Sequence, residues 1–180
     1  MIYTYDECLD KYGSDYLIKK ALKENKLYKI EKGIYSENRN VSVLEILTKK
    51  YPKAILTMNT AFYYHGLTDA IPDLYYLATI DSSKKLVDKR IKQIYVPEDL
   101  IDIGKEEGNS NGIKYYIYSK ERMLIELLRF KNILPYDYYK EILNNYREII
   151  YELNISEIEK YARQFPKSKM IIEALRKEVL

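Results

Sequence analysis

Along residues 14–36 the spacing of hydrophobic and polar positions changes period, and the change predicts a short helix running into a two-stranded hairpin. Leu17, Ile18, Ala21 and Leu22 recur at helical spacing on one side, while Tyr16, Lys19, Lys20 and Lys23 recur at i, i+3, i+4 and i+7 on the other. Ser14, just after the breaker Gly13, is the expected N-cap, and Asn25 the expected end. Beyond it, 27–31 and 34–36 are β-prone runs joined by Lys32 and Gly33, where glycine takes the positive φ of a tight turn. Lys29 and Lys32 then project from the hairpin. Helix plus ribbon is the form of a reading helix and its wing: a DNA major groove accepts one helix, and flanking lysines bind phosphate through charge. The same lysine stripe also describes any solvated helix face.

Upstream, 4–12 predicts a first helix capped by Thr4. Downstream, the polar run 37–40 reads as a linker, and 42–51 predicts a helix with Val43, Leu44 and Leu47 inward. A buried strand is expected at 53–57, then a helix capped by Asn59 and closed by Gly66. Strands are expected at 74–80, 90–96, 100–103 and 112–118, with a charged helix or loop at 82–89 and a turn-rich loop at 106–111. The last third predicts helices: one opened by Ser119, one after Pro135, one with Ser156 and Glu159 as a capping box, and one over 167–179. The fold class is α+β, with a small N-terminal module over 1–38 and a second domain over 41–180 that joins a small sheet to a C-terminal helical bundle.

Charge sharpens the picture a little. Residues 1–53 hold 11 Lys and Arg against 8 Asp and Glu, whereas 54–180 hold 19 of each, so the net +3 of the chain sits at the front. Asp15 and Glu24 lie on or beside the lysine-bearing helix and temper that excess. The 21 tyrosines are scattered through every element and mark an AT-rich coding sequence more than a stacking platform for single strands. A single cysteine, Cys8, excludes an internal disulfide and fits a reducing compartment. No basic and apolar leader opens the chain and no uncharged stretch approaches a membrane span, so a cytoplasmic protein without a membrane partner is expected.

Candidate chemistry is sparse. The one histidine, His65, lies in YYHGL without zinc-ligand neighbours, and reads as structural. Gly104, Gly108 and Gly112 form no phosphate-cradling loop, and Cys8 in an acidic helix is a poor nucleophile. The expectation is a protein that is not an enzyme and needs no metal or cofactor.

Taken in order, GIYS at the wing, MNTAFYYHGLTDAIPDLYYLAT, RIKQIYVP, IYSKERMLIELLR and PYDYYKEILNNYR resemble the AbiEi antitoxin family of abortive-infection, type IV toxin-antitoxin systems. The sharpest pieces are A-x-x-x-H-G-L at 61–67 and S-x-E-R-x-L at 119–124. The resemblance implies a winged helix-turn-helix at the amino terminus that binds double-stranded operator DNA in its own promoter. It implies also an α/β antitoxin domain that counters an AbiEii-like nucleotidyltransferase toxin. A second reading from the residues is a protein-interaction antitoxin module without DNA binding. The family supplies no catalytic residues and matches helix 15–25 and wing 27–36 by position only. Tyr16, Lys19, Lys20, Lys23, Lys29 and Lys32 are the DNA contacts expected from this chain's own pattern. A homodimer on paired half-sites would suit such a module, although no heptad announces one. A usual winged helix has a supporting helix ahead of the pair. Only 4–12 precedes the reading helix here, so the cover must come from 42–51 or from a partner chain, or else DNA binding has been given up.

Overall fold

Side chains start the first two helices of the chain. Thr4 Oγ1 accepts the Glu7 N–H at 3.3 Å while Glu7 Oε2 accepts the Thr4 N–H at 2.7 Å, which closes a capping box on α1 (Tyr5–Tyr12). Gly13, at φ +83°, turns the chain and returns its N–H to Leu9 O, and Ser14 Oγ then caps α2 (Asp15–Lys23). The computed structural model describes residues 1–179, so Leu180, the last residue of the expected second domain, lies outside it. Among the described residues the fold is α+β: eight α-helices, one short 3-10 helix and two sheets.

The first compact unit comprises Met1–Lys53 together with Asn109–Lys114. After α2 the chain forms the hairpin β2 (Tyr28–Glu31) and β3 (Ile34–Ser36), turned by Gly33 at φ +79°. An unexpected short strand, β1 (Ile2–Thr4), pairs antiparallel with β3, giving the order β1-β3-β2. Tyr3 and Tyr35 sit opposite each other and join Cys8, Ile18, Ala21 and Leu27 in one apolar cluster. A third helix, α3 (Val43–Lys50), buries Leu44, Ile46 and Leu47 and packs on β1. Lys49 bonds Glu7 of α1 at 2.5 Å and Lys50 bonds Glu31 of β2 at 2.8 Å. The helix at 42–51 thus backs the first unit, as one of the expected alternatives had it.

This moves the expected boundary. The run 37–40 is tied to the unit rather than spanning domains: Glu37 N–H donates to Met1 O, Asn38 N–H to Ser36 Oγ, and the Glu37 carboxylate pairs with Lys11. The compact units part at Lys53, and the module is longer than 1–38.

The second unit, Ala54–Gly108 with the described residues from Tyr115 on, holds all but the 109–114 turn of a mixed sheet in the order β6-β5-β4-β8-β7. The strands are β4 (Ile55–Leu56), β5 (Tyr75–Ile80), β6 (Ile91–Val96), β7 (Lys105–Ser110) and β8 (Ile113–Tyr118), and β4 runs parallel to β8 and antiparallel to β5. Helix α4 (Met58–Tyr64) follows β4. The C-terminal part is α5 (Lys120–Arg129), α6 (Tyr136–Ile149), α7 (Ile155–Gln164) and α8 (Ser168–Glu178). Helix α5 is the hub: every residue from Arg122 to Leu128 is buried, and α4, α6, α7 and α8 all contact it.

Four local expectations are corrected. The loop expected at 106–111 is strand β7, because Asn111 and Gly112, both at positive φ, make the tight turn and leave KEEGNS to pair with β8. The strand expected at 100–103 is a run of turns in which the buried Leu100 returns its N–H to Pro97 O and Ile101 is also buried. Asn154, not Ser156, caps α7, its Oδ1 accepting the Glu157 N–H at 3.1 Å, and α4 starts after Thr57, not at Asn59. Residues 82–89, expected as a charged helix or loop, form a loop.

Candidate nucleic-acid interface

Ile18 and Ala21 hold α2 against the apolar cluster, and that anchoring turns the opposite face to solvent. Tyr16 is 74% exposed, and Lys19, Lys20 and Lys23 are all exposed beside it. Lys29 on β2 and Lys32 at the hairpin turn are exposed too, so all six residues expected at the interface reach solvent within one compact unit.

Their charges are not equally available. Lys19 Nζ lies 2.6 Å from Asp15 Oδ2, and Lys20 Nζ lies 3.9 Å from Glu24, whose other oxygen takes Lys26 at 2.7 Å. The Lys19 hydrogen bond holds the Asp15 carboxyl below its ordinary range, and Asp15 in turn raises Lys19. Exposed pairs of this kind are weak and open readily to a phosphate. Lys23, Lys29 and Lys32 make no ion pair among the described residues. Leu17 departs from the expected inward face and is 42% exposed.

The two motifs behind the family resemblance come together within the second unit. Ala61 and Leu67 are buried, Gly66 has φ +68°, and the His65 Nε2–H donates to Tyr118 O at 2.6 Å. One residue on, Ser119 Oγ caps α5, Glu121 accepts the Asn154 N–H, and Leu124 is buried. Arg122, fully buried, bonds Glu126 twice and the Leu100 and Ile103 carbonyls, and lies over the rings of Tyr118 and Phe165. Each motif position therefore has a packing or bonding role. Polar clefts of about 310 and 220 Å³ flank His65 and Lys120, with Glu141, Glu148 and Asp69 along one and Glu106, Glu121 and Glu152 along the other. No group of three or more His, Cys, Asp or Glu among the described residues is arranged to hold a metal ion, and no helix among them is long and apolar enough to cross a membrane.

The first unit thus sets two consecutive helices beside a β-ribbon, with lysines exposed on the second helix. The chain matches no protein-family model and no curated protein.

Proposed function

We propose that this chain is a non-enzymatic transcriptional regulator and antitoxin of the AbiEi kind. Its first unit binds double-stranded DNA of its own promoter, and its second unit counters an AbiEii-like nucleotidyltransferase toxin in the cytoplasm. The supporting observation is the solvent-facing ridge of Tyr16, Lys19, Lys20 and Lys23 beside a two-stranded ribbon that carries Lys29 and Lys32. In this reading α2 enters the major groove and the wing lysines lie along the flanking backbone. With about four lysines neutralising phosphates, log K falls with log salt at a slope of roughly −4. Fluorescence-anisotropy titration of the full chain against a duplex from its upstream region measures this. Joint Lys20→Glu and Lys23→Glu substitution abolishes binding while circular dichroism is retained; wild-type affinity in that variant would reject the face.

One observation favours a second reading, a protein-interaction antitoxin without DNA binding: Asp15 and Glu24 already engage Lys19 and Lys20. On that reading the charge-reversed full chain still rescues toxin-arrested cells and the wild type binds no promoter DNA.

A further inference from the structure

The helical wheel of α2 follows from its two buried side chains. With Ile18 and Ala21 inward, Tyr16, Lys20 and Lys23 lie at the middle of the outer face, flanked by Lys19 on one side and Leu17 on the other. The apolar cluster takes Ile18, Ala21 and part of Leu22 from this helix and leaves Tyr16 and Leu17 out. Two large hydrophobic side chains thus stand in water in the first turn, 74% and 42% exposed. Lys19, the lysine closest to them in sequence, is paired with Asp15. What the first turn presents is therefore an aromatic ring and a branched alkyl group, with ammonium groups on the turns behind.

The first turn of a reading helix is the part that meets base edges. An apolar side chain in the major groove finds one apolar base feature, the C5 methyl of thymine. We propose, resting on the reading that α2 enters the major groove, that Tyr16 and Leu17 read thymine methyl groups. The preferred ligand is then double-stranded DNA with thymines facing the first turn of α2, held by phosphate contacts from Lys20, Lys23, Lys29 and Lys32. Methyl contact supplies the selectivity and charge supplies most of the affinity.

Replacing every thymine of the promoter duplex by deoxyuridine removes the methyl groups and leaves each hydrogen-bonding group and phosphate in place. Anisotropy titrations of the full chain against the two duplexes are expected to show roughly ten-fold weaker binding of the deoxyuridine duplex. The salt slope stays the same for both, since the phosphate contacts are unchanged. The variant L17A, altered at an exposed position and checked for folding by circular dichroism, binds the thymine duplex more weakly and discriminates less between the two. Equal wild-type affinity for both duplexes overturns the methyl-reading proposal while leaving α2 as a DNA-binding helix. Binding of neither duplex at about 50 mM salt, where phosphate contacts are strong, overturns the groove reading and this proposal with it.

Discussion

His65 shows how one residue couples burial to pH. Its ring donates from Nε2 to Tyr118 O, and burial, aided by Lys120 and opposed by that hydrogen bond and Glu121, lowers its pKa below the ordinary 6.5. The unfolded chain takes up a proton as pH falls through 6.5 and the folded chain does not until lower pH, so His65 costs stability progressively as pH drops through that window. The urea midpoint of the second unit is therefore expected to fall between about pH 7.5 and 5.5, and to fall less in His65→Asn, which keeps a donor for Tyr118 O but cannot charge. An identical fall in the variant would show that other groups carry the whole effect. Thr4, Ser14 and Ser119 were legible as caps because each bonds a backbone group three residues away. The exposure of Leu17 was not: a residue at the flank of an amphipathic helix is covered or bare according to neighbours distant in sequence.

At the scale of elements, α5 is an apolar hub with one ion pair at its centre. Arg122 is wholly buried, and Glu126 is shared with Arg129, whose side chain is 28% exposed. Arg122→Met leaves the buried Glu126 Oε1 without its donors, with only the outer Arg129 pair remaining, and leaves the Leu100 and Ile103 carbonyls without theirs, an expected loss of about 3 kcal/mol in urea denaturation. Arg129→Met breaks only the outer pair and is expected to cost roughly 1 kcal/mol or less. Equal losses would mean that Arg122 acts no differently from a surface partner. The helical period of Met123, Leu124, Leu127 and Leu128 made α5 readable, but its all-round burial was not, since Arg122 and Glu126 look like solvent positions until their partners are in place. Strand β7 was hidden differently: its residues are poor strand formers, and Asn111-Gly112 was the local signal that a hairpin turns there. Gly108 suits that strand because the Tyr115 ring lies over it, where an added Cβ would fall 2.2 Å from the ring.

Across the whole molecule, the two compact units differ in the means they have to stay folded. The first is small, with an apolar cluster around Cys8 and ion pairs joining α3 to α1 and β2. A unit near the lower limit of size for independent stability buries a smaller share of its surface than a larger one. The second is larger and packs four helices around α5. Cys8, the one cysteine and completely buried, makes the opening of the first unit measurable on its own: burial, reinforced by Glu7, raises its thiol pKa, so it reacts only when exposed. In a urea series, labelling of Cys8 by a chromogenic disulfide reagent is expected at lower denaturant than the loss of helical circular dichroism, most of which comes from the second unit. Leu47→Ala in α3 is expected to move the labelling transition down by about 2–5 kcal/mol and leave the main dichroism transition in place, while Arg122→Met does the reverse. Coincident transitions that move together in both variants would instead make the chain one cooperative body, and α3 would then support the basic ridge only as part of that whole.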